Sequence, residues 1–155
     1  MAVLVAVAQD LGGAETLEQI LGVVTGRGVA VLGAQGAVLA LNEPHGATVR
    51  SLVTSYFEEQ IVAQVAVLPC SHPLPMVHAA STATPWYLED RDAAERACPG
   101  AAAIYAQAQT QASAAVPMFD RGELVGALAV AFHEPHVWRP AERQLLEALA
   151  ALAAQ

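Results

Sequence analysis

The sequence predicts an α+β domain, and three observations predict it. Apolar residues recur with helical spacing near the start: Leu17, Ile20, Leu21, Val24, Gly28 and Val31. Two pairs of alternating segments, each broken by turn residues, lie further along, at Ala34 to Ser55 and Ala112 to Phe132. A second helical stripe, Leu145, Leu149 and Leu152, closes the chain. Strands in separate antiparallel pairs, with helices at both ends, do not form the alternating pattern of a parallel sheet. A chain of 155 residues suits a single domain over 1–155. It can bury roughly 70% of the surface that its unfolded form exposes.

Met1 to Ala8 is apolar and reads as the front of a helix. A longer helix is predicted from about Ala14 to Leu32. Gly22, Gly26 and Gly28 weaken it by about 1 kcal/mol each against Ala; they indicate either close packing there or simple composition. Ala34 to Leu41 is a strand that ends at the turn cluster Asn42-Glu43-Pro44-His45-Gly46, and Thr48 to Ser55 returns as its partner. Phe57 to Val65 reads as a short helix. Val65 to Leu68 reads as a brief strand stopped by Pro69.

Pro73, Pro75, Pro85 and Pro99 break the middle into short pieces. Met76 to Ala83, Asp92 to Ala97 and Ala101 to Gln109 suit helices, and Trp86-Tyr87-Leu88 suits a strand or an extended lid. Ala112 to Phe119 and Glu123 to Phe132 form a hairpin about Asp120-Arg121-Gly122, where Gly122 can take positive φ. Gly126 and its neighbouring alanines keep one face of the second strand thin, so another backbone can lie close. His133 to His136 is a loop. Pro140 then starts the last helix, with Glu142 in its first turn.

Hydrophobic residues make up 55% and charged residues 14%, which excludes a disordered chain. Net charge is −8 and there is no Lys. The basic residues are Arg27, Arg50, Arg91, Arg96, Arg121, Arg139 and Arg143, too scattered to form a basic stripe. Nucleic-acid binding and docking on an anionic membrane are therefore both disfavoured. Met1 to Ala8 lacks the basic flank of a signal peptide and is soon followed by Asp10 and Glu15. No apolar run reaches the about 18 residues of a membrane span. Two cysteines, Cys70 and Cys98, make no disulfide framework. A soluble, cytoplasmic protein with reduced thiols is expected.

No serine stands in a nucleophile-elbow context, and there is no Gly-rich phosphate loop. Glu58-Glu59 and Glu89-Asp90 read as solvated surface rather than an acid–base pair. His133 and His136 are three apart with Pro135 between them and no further ligand suitably spaced, so no metal site is predicted.

The last third carries a recognisable pattern. Ala115-Val116-Pro117-Met118 is followed by Arg121-Gly122-Glu123-Leu124-Val125-Gly126-Ala127-Leu128. Phe132, Glu134-Pro135, Trp138 and Glu142-Arg143 come next, then Leu145-Leu146-Glu147-Ala148-Leu149-Ala150. Further back stand Val31-Leu32-Gly33-Ala34 before a strand, and Leu68-Pro69 before Pro73-Leu74-Pro75. Over nearly its whole length the chain resembles GAF domains, small modules of bacterial signalling proteins. The resemblance implies a twisted antiparallel sheet of five or six strands with the terminal helices on one face. On the other face it implies a pocket covered by the irregular middle.

Three GAF subtypes do not match. A chain without Lys cannot carry the Asn-Lys-Phe-Asp-Glu signature of cyclic-nucleotide-binding members. Ser71-His72-Pro73-Leu74-Pro75 departs from the bilin-side segment of phytochromes. Two cysteines fall short of the usual three in free methionine sulfoxide reductases.

Within the implied pocket, Met76, Trp86, Tyr87 and Tyr105 supply apolar lining, and His78, Tyr87, Tyr105 and Ser113 the polar contacts. His72 and His78 are candidates for haem or metal ligands in the pocket, or for ordinary polar lining. Cys70 lies two residues from His72, whose charged form would favour the thiolate. Cys70 and Cys98 together are candidates for a redox pair. Leu145, Leu149 and Leu152 have the spacing of a helix seam, and the resemblance implies a homodimer. The expected role is a sensory or regulatory module that binds a small ligand or dimerises. Its output would come from a further domain or a partner protein. The rival is a thiol redox enzyme. The sequence names no cofactor.

Overall fold

The computed structural model describes residues 2–53 and 59–154. Its helices are α1 (Ala2–Leu11), α2 (Leu17–Val23), α3 (Ala30–Leu32), α4 (Glu59–Val65), α5 (Pro75–Thr82), α6 (Arg91–Ala97), α7 (Ala102–Ala108) and α8 (Pro140–Ala153). Its strands are β1 (Gly36–Asn42), β2 (Thr48–Val53), β3 (Val67–Pro69), β4 (Trp86–Leu88), β5 (Ala112–Asp120) and β6 (Glu123–Phe132). They make one six-stranded sheet in the order β3-β2-β1-β6-β5-β4, with every pairing antiparallel. The helix and strand expected over Phe57 and Ser55 run partly outside the described residues, as does Glu58.

The first two helices are separate, and the longer one, predicted over Ala14 to Leu32, is itself divided. α1 ends at Gly12-Gly13, and Thr16 then caps α2 by a reciprocal box. The Thr16 hydroxyl accepts from the Gln19 N–H, and the Gln19 carboxamide accepts from the Thr16 N–H, both at 3.1 Å. Beyond Val23 the helix widens into a π-helical stretch, Val24–Val29, before the last turn of α3. A wider turn displaces the stripe that follows. Leu21 and Val24 are buried as predicted, but Val29 and Leu32 replace Val31, which is 60% exposed. A Cβ at Gly22 or Gly26 meets nothing within 4 Å, so these glycines mark open space and not close packing.

Gly126 does mark a close approach. It pairs with Leu41 of β1, and a Cβ there would run into the Ala40 carbonyl. A bulge lies beside it, where the register shifts between Met118 and Phe119. Arg121 and Gly122 both take positive φ, 52° and 84°, in a two-residue turn joining β5 to β6. Pro69 sits within β3 rather than stopping it; β3 is an edge strand, where a missing N–H is tolerated.

Each face of the sheet has its own core. Leu39, Val116, Met118, Leu128 and Val130 pack with Val7, Val24, Leu146 and Leu149 of the terminal helices. On the opposite face Val38, Ala40, Ala115 and Ala127 pack with Met76, Val77 and Ala80 of α5 and with residues of α4, α6 and α7. Asn42 ties β1 to α5 by donating to the Ala80 carbonyl at 2.9 Å. Among the described residues no helix is long and apolar enough to cross a membrane.

Two glycine substitutions should therefore act in opposite directions in urea denaturation. Gly126→Ala is expected to lose more than about 1 kcal/mol, because the added methyl meets backbone. Gly22→Ala is expected to gain about 0.5–1 kcal/mol, because its methyl enters open space on a helix.

Candidate functional site

A cavity of about 80 Å³ lies between the second face of the sheet and the short helices. Val38, Ala115 and Ala129 form its floor. Leu74, Pro75 and Met76 cover it where α5 begins, with Pro75 in the first turn supplying a preset helical φ. Ile61 and Val65 of α4 and Ile104 and Tyr105 of α7 complete the walls. The small side chains of the floor leave the space that larger ones would fill.

The polar groups of the lining are few. Ser113 lies on the cavity face of β5, two residues before Ala115, and its hydroxyl is 2.9 Å from that of Tyr105. Thr110 follows the left-handed end of α7 at Gln109, and its N–H donates to the Tyr105 carbonyl at 2.9 Å. Ser51, Thr110 and Ser113 are the buried polar residues among those described, and two of the three line the cavity. Burial pushes the Tyr105 hydroxyl above the ordinary tyrosine range, so it stays protonated. Among the described residues no Asp, Glu, Arg or His lines the cavity.

Of the residues proposed from sequence, Met76, Tyr105 and Ser113 come together here. Thr110, Ile61, Val65 and Ile104 were missed. They sit on short helices and a helix end, where spacing carries no hint of a shared cavity. His78 and Trp86 lie beside this space: their rings meet edge to face at 5.0 Å, and Trp86 Nε1 is buried without a partner. Tyr87, one residue on, projects through the other face. Its hydroxyl donates to Glu147 Oε1 at 3.1 Å, and the Arg143 guanidinium lies 4.4 Å over its ring. Tyr87 is thus a contact to α8 rather than a pocket residue. Burial and the neighbouring Glu147 carboxylate both raise its pKa.

The cysteines do not lie in the cavity lining. Cys70 is exposed at the end of β3, and Cys98 is buried and donates to the Ala94 carbonyl at 3.2 Å. Burial pushes the Cys98 thiol up, away from thiolate. His72 is held neutral. Burial lowers its pKa, and its Nδ1 accepts from the Leu74 N–H at 3.2 Å, a bond that a protonated ring nitrogen cannot accept. The charged imidazole that would activate Cys70 is therefore disfavoured.

Leu149 is fully buried in the chain's own core, and Leu145 and Leu152 pack against that core. Leu149 is thus committed to this core, while Leu145 and Leu152 stay partly exposed. The reason is that the apolar stripe of α8 covers the bulky side of β5. Glu89 and Asp90 are not merely solvated: Asp90 caps α6 through the Ala93 N–H at 2.7 Å, and Glu89 accepts from the Trp138 N–H at 3.1 Å. His136 stacks on Phe132 and lies 3.0 Å from Glu142 Oε2. Among the described residues no three His, Cys, Asp or Glu side chains gather as metal ligands.

The family model described as GAF domain matches residues 16–155. No curated protein matches the chain. Among solved structures, it is similar to the GAF domain of a phosphoenolpyruvate-protein phosphotransferase from Coxiella burnetii. The identity is 21%, with 99% of this chain and 89% of that one covered and a TM-score of 0.78. The corresponding Acinetobacter domain gives 15% identity, the same coverages and a TM-score of 0.77. A domain from Sinorhizobium meliloti 1021, of a protein described as a two-component sensor histidine kinase, gives 17% identity, coverages of 91% and 90%, and a TM-score of 0.71. At these identities the likeness is one of fold.

His72 gives the site a pH signature. Its folded-state pKa lies below the ordinary 6.5, so the unfolded chain binds the proton more readily. Above 6.5 the residue contributes nothing; as pH falls through that value towards the lower folded one, it costs stability. His72→Gln is expected to flatten this part of the curve of urea midpoints against pH, measured from about pH 7.5 to about 5. An unchanged slope would contradict the assignment.

Proposed function

The chain belongs to the GAF domain family, and we propose that it is a sensory or regulatory module of bacterial signal transduction that binds a small molecule in its cavity. The observation that carries this reading is the apolar cavity under the first turn of α5, with β4 linking the layer of α5 to α8. Trp86 and Leu88 belong to the core on the cavity face, whereas Tyr87 reaches the opposite face. Trp86 touches His78 of α5, whose first turn covers the cavity, while Tyr87 holds Glu147 and Arg143 of α8. A ligand that displaces α5 would thereby bias α8, by no more than its differential affinity for the two arrangements. The similar domains are parts of phosphotransferases and of a protein described as a sensor histidine kinase. An output domain or partner protein is expected for this chain as well.

Dimerisation is the second part of the proposal. With Leu149 committed to the core, the large exposed apolar side chains of the terminal-helix layer, among the described residues, are Val5 on α1 and Val31 on α3, 56% and 60% exposed. These would form the seam. The rival reading, thiol redox catalysis by Cys70 and Cys98, has weaker support, since Cys98 is buried with its pKa raised.

Native mass spectrometry, with and without reductant, tests the three together. A retained mass or a compound-dependent thermal shift is expected, and Ala129→Leu, which fills the cavity floor, should abolish it. Compounds that stabilise wild type and Ala129→Leu equally would overturn the pocket reading. A loss of two hydrogens reversed by reductant would favour the redox rival. A dimer that Val5→Glu and Val31→Glu leave intact would place the seam elsewhere. For the coupling, Tyr87→Phe is expected to keep ligand-induced protection of α5 amides in hydrogen exchange and lose that of α8.

A further inference from the structure

We infer that the cavity takes a neutral, mostly apolar small molecule with one hydroxyl or carbonyl group, held at the Tyr105–Ser113 hydroxyl pair. The inference rests on reading the cavity as a ligand site and adds the chemical class. Three features of the lining carry it.

The first is charge. Among the described residues, no ionisable side chain other than the Tyr105 phenol lines the space, and that phenol stays neutral. The nearby Arg91 bonds the Thr110 carbonyl at 3.0 Å and is not among the lining residues. A carboxylate, phosphate or ammonium entering here would lose its hydration and find no countercharge. The second is the count of hydrogen-bonding hydrogens. At the Tyr105–Ser113 pair two hydroxyls carry two hydrogens, and one is taken by the 2.9 Å bond between them, which leaves one donor hydrogen and unused lone pairs for one hydroxyl or carbonyl; the Thr110 hydroxyl, also in the lining, is a separate polar group. The third is size. About 80 Å³ is less than the about 150 Å³ of a cavity that holds benzene, and the space opens on one side, so the part of a molecule seated inside it is short.

A four-carbon series separates the classes at constant length: 1-butanol, butyrate and butylamine. Binding to the full chain is followed by shifts of the Met76 methyl and of the Ser113 and Thr110 amides in heteronuclear NMR. 1-Butanol is expected to titrate these signals saturably, with butyrate and butylamine at least about tenfold weaker. Tyr105→Phe keeps the ring in place and should weaken 1-butanol about five- to tenfold. Ser113→Ala should do the same, and unfolding midpoints check that both variants fold.

Charged members that bind as well as the alcohol, or a Tyr105→Phe variant that binds it unchanged, would overturn the ligand class and leave the pocket reading standing. Silence from the whole series, while another compound binds wild type but not Ala129→Leu, would do likewise. Absence of any compound sensitive to Ala129→Leu would remove the pocket reading, and this inference with it.

Discussion

The fold depends on a sheet that must be covered on both sides by side chains of unequal size. Along β5 and β6, Val116, Met118, Leu128 and Val130 point one way and Ala115, Ala127 and Ala129 the other. Strand alternation makes this division strict, since neighbouring residues cannot share a face. The bulky side is fully satisfied by the terminal helices, with Leu146 and Leu149 at zero exposure. On the small side, α5 contacts the alanine floor directly, and a cavity remains between it, α4 and α7. One face is thus closed and one has room, from a single alternating pattern.

The same alternation makes β4 a link between the two layers. At three residues it is too short to divide its side chains into more than one step. Trp86 contacts α5, Tyr87 contacts α8, and the Leu88 carbonyl accepts from Trp138 Nε1 at 3.2 Å. Trp138 also packs against Tyr87, Phe132 and His136, so the segment leading into α8 is gripped by β4 and β6. The edge strand joins the cavity layer to the C-terminal helix through adjacent side chains and needs no longer chain of contacts.

Much of this was legible. The β5–β6 hairpin, its Gly122 turn and the thin face at Gly126 follow from local spacing and from glycine alone, because both signals are short in range. The division of the longer helix was not legible. A π-helical stretch shifts the stripe by altering the turn, and the periodic residues that it displaces still look helical in sequence. Of the residues that residue type marks as pocket candidates, Met76, Tyr105 and Ser113 line the cavity, whereas Tyr87, an aromatic of the same irregular middle, reaches α8. Adjacent strand residues face opposite sides, which places Trp86 and Tyr87 in different layers.

By itself the sequence determined the fold class, the strand pairs, the helical ends and the absence of a basic stripe, because each rests on composition or on contacts between near neighbours. Tertiary structure alone decided which side of each strand met which helices. It set Thr110 beside Ser113 and Tyr105, buried Cys98 apart from the cavity lining, and turned Leu146 and Leu149 of α8 inward. These are outcomes of sheet order and layer packing, which bring together residues whose separation in the chain carries no periodic signal.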